Sequence, residues 1–295
     1  MIKAYLVPHP PLIVKGVGDG KAKFWDGTKC SLCPHNCVIA DGKKGFCNAR
    51  RNVGGELIAE NYGRITSLAL DPIEKKPLYH FRPGSKILSV GSYGCNMRCA
   101  FCQNHEISQT QANSKYMPPE KLAEISAETK GNIGVAFTYN EPLIGVEYIL
   151  DAAPLIKRNG QAVVMVSNGQ INPKPLLELL PMIDAWNIDV KAFRAEFYSS
   201  HGGDFETVKY TVGAAVKTSH IEVTTLIVPG ENDGEAEIDA LAKWLSGISK
   251  DIPLHLSRFF PRYKMTDKTP TPKETMLRLE KTAKQYLKFV YLGNM

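Results

Sequence analysis

The chain has 295 residues, of which 43% are hydrophobic and 22% charged, and a formal net charge of +6 with histidine neutral; that size buries a full core as one large domain, or as one domain with a small appendage. The lysines and arginines are scattered rather than gathered in a stripe, which argues for a solvated surface and against a nucleic-acid footprint. No apolar run approaches membrane-spanning length and three prolines break the apolar opening MIKAYLVPHPPLIVKGVGDG, so neither a membrane span nor a signal peptide is expected and the chain reads as cytoplasmic.

Seven cysteines fall in two tight groups, Cys30, Cys33, Cys37 and Cys47, then Cys95, Cys99 and Cys102. An odd count in clusters points to metal or cluster ligation rather than to a disulfide framework. Three stretches are expected along the chain: an extension over 1–20, a Cys-rich metal-binding module over 21–84, and a catalytic domain over 85–295. The module is rich in Gly, Lys and Cys and carries short strands at Glu56–Glu60 and Gly63–Leu70. Its C-x2-C-x3-C-x9-C spacing supplies four thiolates, ample for a tetrahedral zinc ion or for a second, closed iron–sulfur cluster, with His35 able to replace one cysteine.

From about residue 85, strand and helix patterns alternate. Strands are expected at Lys86–Ser92, Gly134–Thr138, Ala162–Ser167, Ala185–Lys191, Ile221–Val228, Pro253–Ser257 and Phe289–Gly293. Helices are expected at Glu120–Thr129, Lys174–Leu180, Glu235–Leu245 and Pro272–Tyr286, two of them announced by proline. Repeated βα units imply a parallel sheet with helices outside it. The polar residues sit just after the strands, where α/β barrels and open sheets place their sites. After the cysteine loop only short connections are expected, with none long enough to form a lid.

The segment GSYGCNMRCAFCQNHEIS carries C-x3-C-x2-C directly after the first strand. Three thiolates on one loop hold three irons of a cubane and leave the fourth open to a ligand. A structural zinc site, completed by His105, is the competing reading. On strand ends further along lie Asn140–Glu141, Ser167–Asn168, Asp189 and Lys191, with His255 and Arg258 on the strand LHLSR. A helix cap at Asn140–Glu141 and a structural Asp189–Lys191 pair are their plainer roles. Asn232–Asp233 is expected to cap the helix that follows it.

C-x3-C-x-aromatic-C after the first strand of a βα barrel resembles the signature of radical S-adenosylmethionine (SAM) enzymes, with Phe101 as the aromatic residue. The likeness runs through residues 28–295 and is closest to the branch of pyruvate formate-lyase activating enzyme, in particular the radical SAM component of the AmmeMemoRadiSam system. Its stretches are CSLCPHNCVIADGKKGFC, DPIEKKPLYHF, FTYNEP, VSNG, NIDVKAF, LIVPGENDG, LHLSRFFPRYKM and VYLGN. The resemblance implies a partial (β/α)6 barrel of TIM type, a 4Fe–4S cluster on Cys95, Cys99 and Cys102, and reductive cleavage of SAM to a 5′-deoxyadenosyl radical. It implies that Phe101 lies against the adenine, that Glu141 takes the SAM ammonium, and that Asn140, Ser167, Asn168, Asp189 and Lys191 surround the rest; His255 and Arg258, from their place on the strand, are candidates to grip the SAM carboxylate or a substrate backbone, a satisfied core histidine being the plainer role of His255. Tyr139 and Asn140 replace two glycines of the family motif, and Val166 stands where related activases carry an acid. A protein is the implied substrate, with RNA or a small molecule as the alternative, and ferredoxin or flavodoxin as the implied type of electron donor. A non-catalytic iron–sulfur protein is the contrasting class. The first 17 residues resemble the opening of a Memo-like domain, in which His9 would be a metal ligand.

Overall fold

The computed structural model describes residues 20–295, so the extension over 1–19 and His9 lie outside the described residues. A hairpin of β1 (Arg50–Val53) and β2 (Glu56–Ala59) ends the cysteine module. The segment expected as one strand over Gly63–Leu70 divides in two. Its first part, β3 (Arg64–Ile65), pairs later in the chain with β6 (Lys115–Tyr116), and its second, β4 (Ser67–Pro72), pairs antiparallel with β5 (Lys86–Gly91). Thr66 is the switch: its N–H donates to Gly91 O and its hydroxyl to Ser92 O. The barrel sheet therefore begins well before residue 85.

Beyond β5 the strands are β7 (Asn132–Phe137), β8 (Ala162–Ser167), β9 (Ala185–Asp189), β10 (His220–Ile227), β11 (Leu254–Arg258) and β12 (Val290–Gly293). They pair in parallel in that order, and the two end strands, β4 and β12, are not paired with each other. This is an open, partial barrel. Its crossovers carry α1 (His105–Ser108) and α2 (Pro119–Glu128), α3 (Val146–Arg158), α4 (Pro173–Leu179), α5 (Ala195–Ser200) and α6 (Phe205–Ala215), α7 (Glu235–Ile248) and α8 (Lys273–Ala283). The strands are largely apolar because both faces are covered, as parallel sheets require, with buried polar residues confined mainly to the inward face of β9–β11. Outward residues such as Val135, Val163 and Trp186 pack under the helices, and inward Ile87, Ala136, Val164 and Ala185 form a separate inner core.

Ile73 and Leu78, both fully buried, complete that inner core. The segment Ile73–Phe81 thus plugs the floor of the barrel. Asn187 on β9 donates to Pro77 O at 2.8 Å, and His80 N–H donates to Glu222 on β10 at 2.7 Å. The connection from β11 to α8, residues 259–272, acts as a strap. It crosses to the cysteine loop, where Lys264 N–H donates to Ala100 O at 3.0 Å and Tyr263 stacks on His105. No helix among the described residues is long and apolar enough to cross a membrane.

Candidate active site

A cavity of about 560 Å³ opens at the carboxyl ends of the strands. Cys95, Cys99 and Cys102 form one side of it, on a loop fixed from several directions. Gly94 N–H donates to Ile107 O, Arg98 N–H to His201 O at 2.8 Å, and the Asn96 amide to Gln170 O at 2.7 Å. The Met97 N–H points at Cys95 Sγ at 3.3 Å, a geometry that favours thiolate over thiol. Burial pushes the Cys99 thiol up to about 11, with Lys191 pulling the other way. Phe101 is buried beside Phe197 and His201 and reaches the cavity wall. His105 does not line the cavity: its ring stacks on Tyr263 and its Nδ1 is engaged with Cys102 O at 3.3 Å.

The loop after β7 is shaped by Tyr139 and Asn140. Tyr139 holds φ at +74°, a conformation glycine adopts freely and a tyrosine adopts at a cost of about 1–2 kcal/mol. The Tyr139 hydroxyl donates to Asp71 at 2.7 Å and its ring lies 4.7 Å from the Lys76 ammonium, contacts that offset the strain. Gly91 leaves the space for that ring, since a Cβ there would stand 2.9 Å from it. Asn140 ties this loop to the cysteine loop, accepting from Ser92 N–H at 2.9 Å and donating to Gly94 O at 3.1 Å.

Glu141 is buried, and three donors meet it: Leu143 N–H at 3.0 Å, the Ser167 hydroxyl at 2.8 Å and Asn168 N–H at 2.8 Å. It caps the single turn that follows and also faces the cavity. Burial pushes its carboxyl up to about 7 despite those bonds. A carboxylate offers about four acceptor positions, so one remains for a further donor. The Asn168 amide donates to Asn96 Oδ1 at 2.9 Å and lies 3.7 Å from Cys95 Sγ. Val166 lines the cavity as an apolar residue.

The opposite wall comes from β9–β12. Strand register sets Asp189, Thr224, His255 and Tyr291 in one row, one from each strand. Lys191, just beyond β9, pairs with Asp189 at 3.1 Å. Burial would lower its ammonium, but Asp189 and Cys99 hold it above the usual lysine range. Asn232 is buried and joins the strand ends, donating to Lys191 O at 2.6 Å and Leu226 O at 2.8 Å; α7 has Gly234 at its N-cap and no side-chain cap, so neither Asn232 nor Asp233 caps it. Thr224 Oγ1 is buried without a partner among the described residues, and Thr224 lines the cavity.

Glu222, fully buried one layer below this row, was not singled out from sequence although it is the one acid in the strand HIEVTTLI. It accepts from His255 Nε2 at 2.6 Å, His220 Nε2 at 2.9 Å and His80 N–H. Burial alone would raise its carboxyl, but these donors bring it down to about 2. His255, packed against Tyr79 and Tyr291, is thereby fixed in the cavity wall. Arg258 is not in that wall: its Nε donates to Thr271 O at 2.7 Å and its guanidinium lies over Phe260, so it anchors the strap. Arg262 and Lys264 also belong to the strap rather than to the wall.

The model of the radical SAM superfamily matches residues 89–245. An uncharacterized protein of Methanocaldococcus jannaschii is 40% identical over 273 residues, 90% of this chain and 81% of that protein. The pyruvate formate-lyase 1-activating enzyme of Escherichia coli is 22% identical over 224 residues, 69% of this chain and 90% of that enzyme. Among solved structures, Streptococcus suis SuiB bound to S-adenosylmethionine has the same fold, with a TM-score of 0.53 at 12% identity over 68% of this chain and 48% of that one. With the family model spanning over half of it, the chain belongs to the radical SAM superfamily and is an enzyme that cleaves S-adenosylmethionine at a 4Fe–4S cluster.

Proposed function

We propose that Cys95, Cys99 and Cys102 hold the cluster, that SAM lies between them and the row on β9–β12, and that the hydrogen donor is a polypeptide. The observation that carries this reading is one cavity walled by three cysteines of a single loop on one side and by Glu141, Asn168, Asp189, Lys191 and His255 around it. With His105 turned away from the cavity, the loop offers three ligands and not four, which fits a cubane with one open iron better than a closed zinc site. When bound, the cluster supplies the electron that breaks a sulfur–carbon bond of SAM, and the resulting 5′-deoxyadenosyl radical takes a hydrogen atom from the substrate.

The chain's own residues bind and orient SAM. Glu141, with its spare acceptor position, takes the SAM ammonium in a charge-assisted bond. Lys191, held charged by Asp189, faces the SAM carboxylate, while Phe101 meets the adenine. Ser167 and Asn140 act at one remove, by holding Glu141 and the cysteine loop.

A polypeptide substrate is supported by the relatives that activate another enzyme and by the seam between the unpaired sheet edges. Glu74 and Lys75 line the cavity on one side of that seam and Gly293 and Asn294 on the other. A docked macromolecule would close it and shield the radical. A low-potential donor of ferredoxin or flavodoxin type would reduce the cluster. Seven free thiols suit a reducing compartment such as the cytoplasm. The test is to fractionate a native anaerobic extract and assay each fraction for faster 5′-deoxyadenosine formation. Stimulation that protease destroys is expected. A dialysable, protease-resistant stimulant would overturn the polypeptide reading, and sensitivity to nuclease would replace it with RNA.

A further inference from the structure

The four amino-terminal cysteines lie outside this cavity and line a small one of their own, together with Arg50 and Ile144. All four are free thiols. Backbone N–H groups two residues further on favour the thiolate of three of them electrostatically, Leu32 at Cys30, His35 at Cys33 and Ala49 at Cys47, against the burial that raises all three thiols. At Cys95 the corresponding N–H, that of Met97, is hydrogen-bonded to the sulfur at 3.3 Å. An amide directed at sulfur does little for a thiol and much for a thiolate, and hydrogen bonds to sulfur tune thiolate-bound metals. Arg50 is a second pointer. It is buried, bonded at 2.6 Å to Glu147, and its guanidinium acts electrostatically on Cys30 and Cys47. A buried cation beside sulfur offsets the negative charge of a four-thiolate centre.

The set is wedged against the loops of the main cavity. Gly94, at φ +87°, sits so close that a Cβ there would lie 2.6 Å from Cys47 O. His35 contacts Asn96 O at 2.9 Å and stacks on Phe46 at 3.9 Å, while Arg98 covers Phe46 at 4.0 Å and donates to its carbonyl. Asn172, on the loop after β8, donates to Ser31 O at 2.8 Å and Cys33 O at 3.0 Å. Arg50 Nε donates to Ile144 O in the turn after Glu141. Three loops that line the main cavity therefore rest on the cysteine module.

We propose that Cys30, Cys33, Cys37 and Cys47 bind a thiolate-ligated metal centre, a zinc ion or an iron–sulfur cluster, and that this centre braces the loops holding Cys95, Glu141 and Asn168. Among the described residues no group of three or more His, Cys, Asp or Glu side chains stands in a geometry that could hold a metal ion, so binding requires the thiolates to draw together and metal content is the deciding measurement. The bracing part rests on the proposed role of the main cavity, and the binding part does not. Full-length protein with Cys95, Cys99 and Cys102 replaced by Ala is purified anaerobically for elemental and Mössbauer analysis. One retained zinc, or iron with sulfide, is expected, and either distinguishes the two centres; a folded protein with no metal overturns the site.

The brace is tested in the otherwise native chain with Cys33→Ala and Cys37→Ala together. The expected result is loss of the amino-terminal metal, a lower Tm and about tenfold weaker SAM binding, with the main cluster's electron paramagnetic resonance signal retained. His35→Ala covers the case in which that variant does not fold. It should keep both metals yet bind SAM several-fold more weakly, because its bond to Asn96 is lost. Native SAM affinity in a folded, metal-depleted protein, or in His35→Ala, would overturn the brace. SAM cleavage surviving loss of Cys95, Cys99 and Cys102 would instead overturn the reading of the main cavity, leaving the metal analysis to stand by itself.

Discussion

The wall formed by the cysteine loop, Glu141 and Asn168 draws its side chains from three loops whose motifs are continuous in sequence, and those loops bond to one another through Asn140, Asn96 and Ser167. The facing wall takes residues from each of β9, β10, β11 and β12, among them Asp189, Thr224, His255 and Gly293, and its supports, Glu222 and the segment Ile73–Phe81, lie a layer below. The first wall is a set of local motifs and the second a product of strand register. Motif residues should fail by losing chemistry or ligand. Register residues should fail first by losing structure.

The largest effect expected is on the first wall. Replacing Cys95, Cys99 and Cys102 with Ala should abolish 5′-deoxyadenosine formation by dithionite-reduced protein while far-ultraviolet circular dichroism stays native. Activity at the native rate would remove the motif wall from the chemistry altogether.

Glu222→Ala tests the second wall. It strips a buried acceptor from two histidines and a backbone amide, and breaking a buried pair of this kind costs about 3–5 kcal/mol, or a fall in Tm on the order of 10 °C. Glu222→Gln adds a pH readout. The carboxyl falls from an ordinary 4.5 to about 2 in the folded protein, so its stabilising contribution is fully present above 4.5 and is lost as pH falls through about 2. The stability gap between wild type and Glu222→Gln should therefore close between those values. A gap that does not change with pH would show that Glu222 is not the charged acceptor of this network.

On the first wall a smaller, ligand-specific effect is expected at Glu141. Glu141→Ala should weaken SAM binding by about 1.5–3 kcal/mol, roughly tenfold to a hundredfold in Kd, with the cluster spectrum of the SAM-free protein unchanged. SAM bound with native affinity would reduce Glu141 to a cap on its turn and a clasp for Ser167 and Asn168.

The same contrast explains what the sequence made legible. Alternation of β-branched runs with helix starts located the seven parallel strands to within about two residues, because each strand is buried on both faces. That the cysteines, Glu141 and Asn168 meet at one cavity was legible because each lies in a short motif directly after a strand. Glu222 was not, since its meaning comes from His255 on the neighbouring strand and His80 on the plug, partners remote in sequence. The plug was visible only as the stretch DPIEKKPLYHF, and nothing local says that Ile73 and Leu78 enter a barrel. The strap was missed because a connection rich in Pro, Lys and Thr reads as ordinary loop, although Thr271 pins it to Ile227 O at 2.6 Å.

Arg258 is where sequence pattern and structure part, and it yields the smallest predicted effect. On a strand that also carries His255, an arginine near a SAM site reads as a grip for carboxylate. In the fold its Nε is spent on Thr271 O and its guanidinium covers Phe260, away from the cavity. Loss of one charged hydrogen bond of this type costs about 1.5–3 kcal/mol when the acceptor is left buried, and less where water can replace the donor. Arg258 is only partly buried, so Arg258→Ala should cost about 1 kcal/mol of stability and change the Kd for SAM by less than about twofold. Isothermal titration of the reconstituted variant, read beside its Tm, separates the two roles. A tenfold loss of SAM affinity at native Tm would return Arg258 to the ligand and extend the cavity wall to the strap it anchors.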